Sequence, residues 1–185
     1  MAAFTITSMQ LNAQTTFALA SASEFNVSGT STIHDWKMTS ATASGEATIT
    51  VIGNKLTGIE TLKVSMVVRT LKSGKGQMDN NAYKALKADK YPVITLELIE
   101  VLTISYNKIK ASGKLTIAGT TKLVTLETEY NLSGNSITVS GLVPITFTQF
   151  NIEPPTAVFG TIKTGDDLQL SFNLTFRPTN KITKS

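Results

Sequence analysis

The chain has 185 residues, of which 41% are hydrophobic and 16% are charged, with no cysteine and a formal net charge of +4. This composition supports one folded core and argues against disorder. The absence of cysteine excludes disulfides, thiolate metal sites and cysteine nucleophiles. Because the lysines are scattered along the sequence, the mildly basic charge does not predict a nucleic-acid partner. No apolar run approaches the roughly 20 residues that a transmembrane helix needs.

The two ends of the chain carry little pattern. Residues 1–14 lack the positive region and the compact apolar region of a secretory signal. However, Leu11-Asn12-Ala13 before Gln14 resembles the end of a cleavage site. We therefore expect residues 1–14 to be a leader remnant, with an ordinary disordered N-terminus as the alternative. Residues 15–178 are predicted to form a single domain, and residues 179–185 a disordered tail.

Period-two alternation dominates the first part of the chain. Strands are predicted over residues 15–22, 25–36, 45–52 and 62–68, with a turn at Gly53-Asn54. Within the second strand, Phe25, Val27 and Ile33 share one parity, which places them on one face of a sheet. The same stretch ends on the only histidine, His34, and the only tryptophan, Trp36.

One helix interrupts the strands. Apolar side chains recur there at helical spacing, at Met78, Ala82, Ala85 and Leu86. Asp79 and Asn80 are predicted N-terminal capping groups, and Pro92 ends the segment. The pattern predicts a helix from about Asp79 to Ala88, with Tyr83 and Leu86 as its anchors.

Sheet resumes after the helix. Strands are predicted over residues 93–102, 108–117, 122–132, 137–147 and 168–176, with a long irregular segment over residues 150–165. Roughly eight to ten antiparallel strands at this spacing are typical of a barrel or sandwich, and closure removes exposed sheet edges. An eight-stranded barrel either fills its interior with side chains or holds one small ligand. Periodicity does not decide between these two interiors.

Four motifs in register resemble the YceI-like family. They are residues 29–36 (GTSTIHDW), 86–92 (LKADKYP), 113–122 (GKLTIAGTTK) and 150–155 (FNIEPP). The resemblance covers about Thr16 to Phe176 and is closest to a subgroup with a His-Asp-Trp version of the first motif. It implies an all-β fold, an antiparallel lipocalin-like barrel of roughly eight strands with one short helix covering an opening. It also implies an exported bacterial protein that holds a long isoprenoid or other amphiphilic lipid.

The candidate ligand-binding residues follow from the strand parity, the helix and the first motif. They are Phe25, Val27, Ile33, His34, Trp36, Met66, Val68, Tyr83, Leu86, Leu96, Leu115, Ile117 and Leu126. If the face of Phe25 points inward, the apolar members line a cavity; the alternative is that they simply fill the interior. Tyr83 and Leu86 could form a lid, or could pack the helix on the sheet.

Charged residues are weaker candidates. His34 and Asp35 are neighbours in a predicted strand, so they are expected to point to opposite faces and not to form a catalytic pair. No ligand-spaced cluster of histidines or carboxylates predicts a metal site. Basic residues flank the helix and could meet an anionic head group or stay solvated; they are Arg69, Lys72, Lys75, Lys87 and Lys90.

These observations predict a non-enzymatic protein that binds and carries a long apolar lipid, without a catalytic residue, metal or cofactor other than a bound lipid. The alternative is a filled barrel that acts as a structural or interaction module for a partner protein. The expected location is the periplasm or the medium outside a bacterial cell, with a truncated or atypical leader. A homodimer is a further expectation.

Overall fold

The computed structural model describes residues 14–179. In that part of the chain the strands are β1 (Thr15–Leu19), β2 (Glu24–Ser31), β3 (Trp36–Ser40), β4 (Ala43–Ile52), β5 (Lys55–Val67), β6 (Val93–Ser105), β7 (Lys108–Ile117), β8 (Thr120–Ser133), β9 (Ser136–Thr146), β10 (Thr156–Ala157) and β11 (Ile162–Pro178). The α-helix is α1 (Gly76–Ala85), and two 3₁₀ turns cover Val68–Thr70 and Thr148–Phe150. Within residues 14–179, no helix has the length and apolar character needed to cross a membrane.

The strands form a closed antiparallel barrel. Their order is β1-β4-β5-β6-β7-β8-β9-β11, and β1 pairs with β11 to close it. Strand β2 continues β1 and strand β3 leads into β4, so the four strands form one long, bent hairpin. Ala18 pairs with Glu46 in its outer part, and Phe25 pairs with Ser40 in its inner part. Between these two pairs the β1–β2 side holds residues 19–24 and the β3–β4 side holds residues 41–45, one residue fewer. An extra residue on one side is typical of a β-bulge, which bends the strands. The barrel therefore has eight strands, two of them bent, which confirms the predicted fold class.

Alternation fixes which side chains enter the barrel. In β7, Ile109, Ala111 and Leu115 are buried, whereas Lys108 and Lys110 between and beside them are exposed. A strand turns successive side chains to opposite faces, so one register sends the whole apolar set inward.

Strand β6 departs from simple alternation because it bulges. Its pairing with β7 shifts between Leu98 and Glu100 and again between Val101 and Thr103. Each extra residue reverses the phase, so Leu98, Val101 and Ile104 all pack against the core at a spacing of three. The two bulges therefore bring residues of both parities to the inner face of β6.

The connections at one end of the barrel define the "helix end". It carries α1, the β2–β3 turn, the β7–β8 turn and the segment between β9 and β11, while the "far end" carries the β4–β5, β6–β7 and β8–β9 turns. Phe176 and Ile137, each 1% exposed, and Ala47, 0% exposed, pack the far half of the barrel. The far half is therefore filled with side chains.

Candidate functional site

The helix-end half of the barrel contains a cavity of about 440 Å³. Its wall is mostly apolar and comes from the inward faces of the strands; it includes Phe25, Val27, Met38, Val64, Met66, Ile94, Leu96, Leu115, Ile117, Val124, Leu126, Val143, Ile145, Leu168, Leu170, Phe172 and Leu174. This volume lies within the usual range for pockets that enclose small ligands. The cavity can take an apolar ligand by removing its surface from water, without forming any directed bond.

Helix α1 forms the roof of the cavity. Met78, Ala82, Ala85 and Leu86 border the cavity, and their spacing of four, three and one places them on one helical face. The helix begins at Gly76 and not at Asp79 as predicted, and Lys75 precedes it without a side-chain cap. Asp79 is used elsewhere, which is why the capping prediction was wrong.

The flank of the helix beside the roof residues is held by polar contacts. Asp79 is 7% exposed and accepts hydrogen bonds of 2.7 Å from both the backbone N–H and the Oγ of Ser73. Burial works to raise the pKa of Asp79, but the bonds from Ser73 and the charge of Lys72 outweigh it and hold that pKa below its ordinary value. Asp79 is therefore charged at neutral pH and ties the helix to the segment before it.

Tyr83 completes this attachment. Its hydroxyl donates to the Leu71 carbonyl at 2.7 Å and accepts from Lys72 Nζ at 2.8 Å. The bond to Tyr83 raises the pKa of Lys72 above its ordinary value. Tyr83 also packs with Val68 and Ala88, in a cluster apart from the cavity. The roof is thus fastened by a group that does not itself face the cavity.

Trp36 forms part of the wall beside the β2–β3 turn. Its Nε1 donates to the Thr30 carbonyl at 3.0 Å, and its ring covers Gly29 on the neighbouring strand. A Cβ at Gly29 would lie 2.6 Å from Trp36 Cζ2, which is too close for any side chain. The absence of a side chain at Gly29 therefore sets where the tryptophan ring rests.

His34 and Asp35 lie in a turn, so the prediction that they are neighbours in a strand was wrong. Strand β2 ends at Ser31, and β3 begins at Trp36. Ser31 Oγ donates to the His34 carbonyl at 2.7 Å and closes the turn. The His34 imidazole donates from Nδ1 to the Asp35 backbone carbonyl at 2.8 Å. The imidazole is therefore oriented by a backbone carbonyl of the same turn.

Eleven of the thirteen candidate residues border the cavity. Val68 and Tyr83 do not. The strict alternation of β5 ends at Val67, where the chain enters a 3₁₀ turn, so Val68 turns away from the barrel and is 1% exposed. Tyr83 lies on the helical flank beside the roof residues and packs outside the cavity. Ligand contact by the other eleven residues stays a prediction.

Some wall residues carried no usable signal in the sequence. Phe147, Phe150 and Ile152 border the cavity from the connection after β9, where a 3₁₀ turn replaces alternation. By contrast, Val143 and Leu170 follow the period-two pattern of β9 and β11, so parity alone could have identified them.

The mouth of the cavity is more polar than its wall. Gln77 and Asn81 of α1 border it, together with Lys75 just before the helix and His34 of the β2–β3 turn. Among residues 14–179, no group of three or more histidine, cysteine, aspartate or glutamate side chains is placed to hold a metal ion. The mouth can therefore hydrogen-bond a polar end group while the wall encloses an apolar chain.

Comparisons with known proteins agree with this architecture. The family model of the YceI-like domain matches residues 11–176. The Burkholderia cenocepacia protein BcnA superposes with a TM-score of 0.71 at 19% identity, covering 85% of this chain and 98% of its own. A polyisoprenoid-binding domain from Saccharophagus degradans, implicated in plant cell wall breakdown, gives 0.66 at 15% identity, covering 90% and 100%. A Campylobacter jejuni YceI protein gives 0.60 at 22%, covering 74% and 82%.

At these identities the structural likeness shows a shared fold. A comparison with curated protein sequences finds no matching relative.

Proposed function

The chain belongs to the YceI-like domain family, and on that premise we propose that it is a non-enzymatic carrier of an isoprenoid or similar amphiphilic lipid. The proposal depends chiefly on the apolar cavity of about 440 Å³ in one half of a barrel whose other half is packed. The polyisoprenoid-binding domain from Saccharophagus degradans, which shares the fold, supports this class of ligand. The His-Asp-Trp subgroup stays a prediction.

The size of the cavity sets how much binding it can supply. A water molecule takes up about 30 Å³ of liquid, so the cavity has room for about 15 groups of that size. At about 0.8 kcal/mol for each buried methylene, a chain of that length gains about 12 kcal/mol. Association costs at least about 4 kcal/mol, which leaves at most about 8 kcal/mol, or a Kd no tighter than about micromolar. Longer chains would protrude through the mouth.

The alternative of a filled barrel that binds a partner protein predicts a packed interior. The far half fits that description, but the helix-end half does not, because its inward side chains leave a cavity. The cavity therefore favours the carrier.

We place the carrier outside the cytoplasm, in the periplasm or the medium, in keeping with bacterial members of the family. Cell fractionation of the native host with an antibody against the chain tests this location. The predicted homodimer is tested separately by sedimentation equilibrium of the purified protein.

The central experiment is mass spectrometry of the solvent extract from purified protein. We expect one class of long-chain lipid at up to one molecule per chain. Rebinding to delipidated protein can be followed by the emission of Trp36, because it is the only tryptophan and borders the cavity. A clean extract together with no change in Trp36 emission on adding polyisoprenols would contradict the carrier.

A matched pair of variants locates the ligand. Val27 points into the cavity, whereas Val67 is 46% exposed on the outside of β5. Val27→Trp should remove at least three quarters of the co-purified lipid by filling the space, and Val67→Trp should leave it within twofold of wild type. Circular dichroism and urea unfolding confirm that both variants fold. Equal lipid content in the two variants would place the ligand elsewhere.

A further inference from the structure

Three large apolar side chains stand exposed beside the mouth. Ile33 is 61% exposed, Val158 is 62% exposed and Phe159 is 108% exposed. Ile33 and Val158 also border the cavity, so these tips are continuous with its opening.

The two turns that carry these side chains are tied together. The Thr32 N–H donates to the Lys163 carbonyl at 3.0 Å, and the Lys163 N–H donates to Thr32 Oγ1 at 3.3 Å. Strand β10 pairs with the start of β11, and the hairpin tip between them holds Val158 and Phe159. The two turns therefore form one structural unit at the mouth of the cavity. We call its exposed side chains, Ile33, Val158 and Phe159, the "apolar tip".

The conformation of this tip is costly. Val158 and Phe159 have φ values of 49° and 53°, in the left-handed region that branched and aromatic residues rarely adopt. Such strain concentrates at functional positions. Here it holds an aromatic ring in water instead of against the barrel.

The net positive charge of the chain arises from one segment at the same end, because the scattered basic and acidic residues elsewhere cancel. Residues 68–92 carry six basic and two acidic side chains, a net charge of +4 (six minus two) that equals the net charge of the whole chain. Asp79 is engaged by Ser73 and pairs with Lys72 at 3.8 Å, and Asp89 pairs with Arg69 at 2.6 Å. The remaining basic side chains of the segment that are exposed and outside these pairs are Lys75, Lys84, Lys87 and Lys90. Exposed acidic residues at this end outside the segment are Asp35, Glu153 and Asp167.

Protein surfaces that bind the lipid–water interface typically combine exposed apolar side chains with lysines. The apolar groups enter the boundary between head groups and acyl chains, and the lysines attract anionic lipids. An uncharged partner would not be attracted by the lysines, and a free anion would not contact the apolar tip. An anionic bilayer uses both.

We propose that the helix end docks on an anionic lipid bilayer, with the apolar tip inserted and the cavity mouth held against the membrane. This rests on the proposed carrier function, since docking gives a lipid a path between bilayer and cavity that avoids water. Each lysine that reaches an anionic surface is expected to raise the partition coefficient by about fivefold.

Co-sedimentation of the full chain with vesicles tests this proposal. Phosphatidylcholine vesicles with and without about 30% phosphatidylglycerol are used at low salt, where charge attraction is least screened. We expect at least tenfold stronger partitioning into the anionic vesicles. Phe159→Ser should weaken it about tenfold. The matched control is Tyr106→Ser, because Tyr106 is 97% exposed in the β6–β7 turn at the far end; it should stay within twofold of wild type.

A second variant tests the charges without touching the tip. Replacing Lys84, Lys87 and Lys90 together by glutamine should lower anionic-vesicle binding at least tenfold. Loss in the Phe159 variant but not in the Tyr106 variant supports docking through the tip. Equal loss in both, or vesicle binding that ignores phosphatidylglycerol, overturns it.

The two proposals fail separately. Co-purified lipid is measured in every variant, because Phe159 does not border the cavity and its loss should leave the lipid content unchanged. A wild-type chain that carries lipid but ignores anionic vesicles overturns docking alone. A chain that binds the vesicles but never carries lipid overturns the carrier alone. Self-association through Phe159, seen by sedimentation without vesicles, overturns docking in favour of a dimer.

Discussion

Gly29 and Trp36 show how one missing side chain shapes the cavity wall. The two residues pair across β2 and β3, and the indole lies where a Cβ of Gly29 would be. The indole N–H is satisfied by the Thr30 carbonyl, which fixes the second edge of the ring. The ring therefore has a defined position next to the cavity, and its emission is a local reporter.

Gly29→Ala should displace this ring. The new methyl group would lie 2.6 Å from Cζ2, and overpacking of this kind costs about 1 to 3 kcal/mol. We expect that loss in the free energy of unfolding by urea, together with a shift in the Trp36 emission maximum. Gly76→Ala is the control, since nothing lies within 4 Å of its added Cβ. An unchanged emission and stability in Gly29→Ala would mean that the ring is not held there.

At the scale of elements, helix α1 has two faces with separate tasks. One face is apolar and roofs the cavity, and the other is attached through Asp79 and Tyr83 to the segment that leaves β5. The attachment depends on a buried charge, so it depends on pH.

Asp79→Asn should make stability less sensitive to acid. The folded pKa of Asp79 is depressed, so its contribution is fully present above its ordinary pKa and is lost as pH falls from there through the lower folded pKa. At pH 7 the variant should be about 1 to 3 kcal/mol less stable. The difference in unfolding free energy between wild type and the variant should begin to shrink below about pH 5 and continue to shrink as the pH falls further.

Urea unfolding at several pH values measures this difference. Asp167→Asn is the control, because Asp167 is an exposed carboxylate on β11. A gap between wild type and Asp79→Asn that stays constant down to pH 3 would show that the charge does not hold the helix.

The elements also show what the sequence could predict. Strands β7 to β9 followed from period-two alternation, because their inward and outward faces differ in polarity. The helix start was misplaced by three residues, since Asp79 resembles a cap but is bonded from outside the helix by Ser73. Val68 was placed on the wall because parity does not show where a strand passes into a 3₁₀ turn. Both errors come from contacts between segments, which local pattern does not contain.

At the scale of the whole molecule, packing changes along the barrel axis. The far half is filled around Phe176 and Ile137, and the helix-end half is open. No strand pattern distinguishes the two halves, because the inward residues are apolar in both. Side-chain volumes and the position of the roof decide where the barrel is empty, so the sequence left the filled and open interiors as alternatives.

Two phenylalanine-to-alanine variants should show that the two halves of the barrel are packed differently. Phe176→Ala in the filled half should cost about 3 to 5 kcal/mol, because it leaves a new void in close packing. Phe25 is half-buried and already borders the cavity, so Phe25→Ala should cost only about 1 to 2 kcal/mol in delipidated protein.

Added lipid should increase the difference in unfolding free energy between the two variants. A ligand that binds only the folded state adds about 2.7 kcal/mol at 100 times its Kd. Urea unfolding with and without added lipid should show this gain for Phe176→Ala and a smaller gain for Phe25→Ala, whose wall contact is lost. Equal costs and equal gains in the two variants would mean that both halves pack alike, and that the cavity does not divide the barrel into a stabilising half and a binding half.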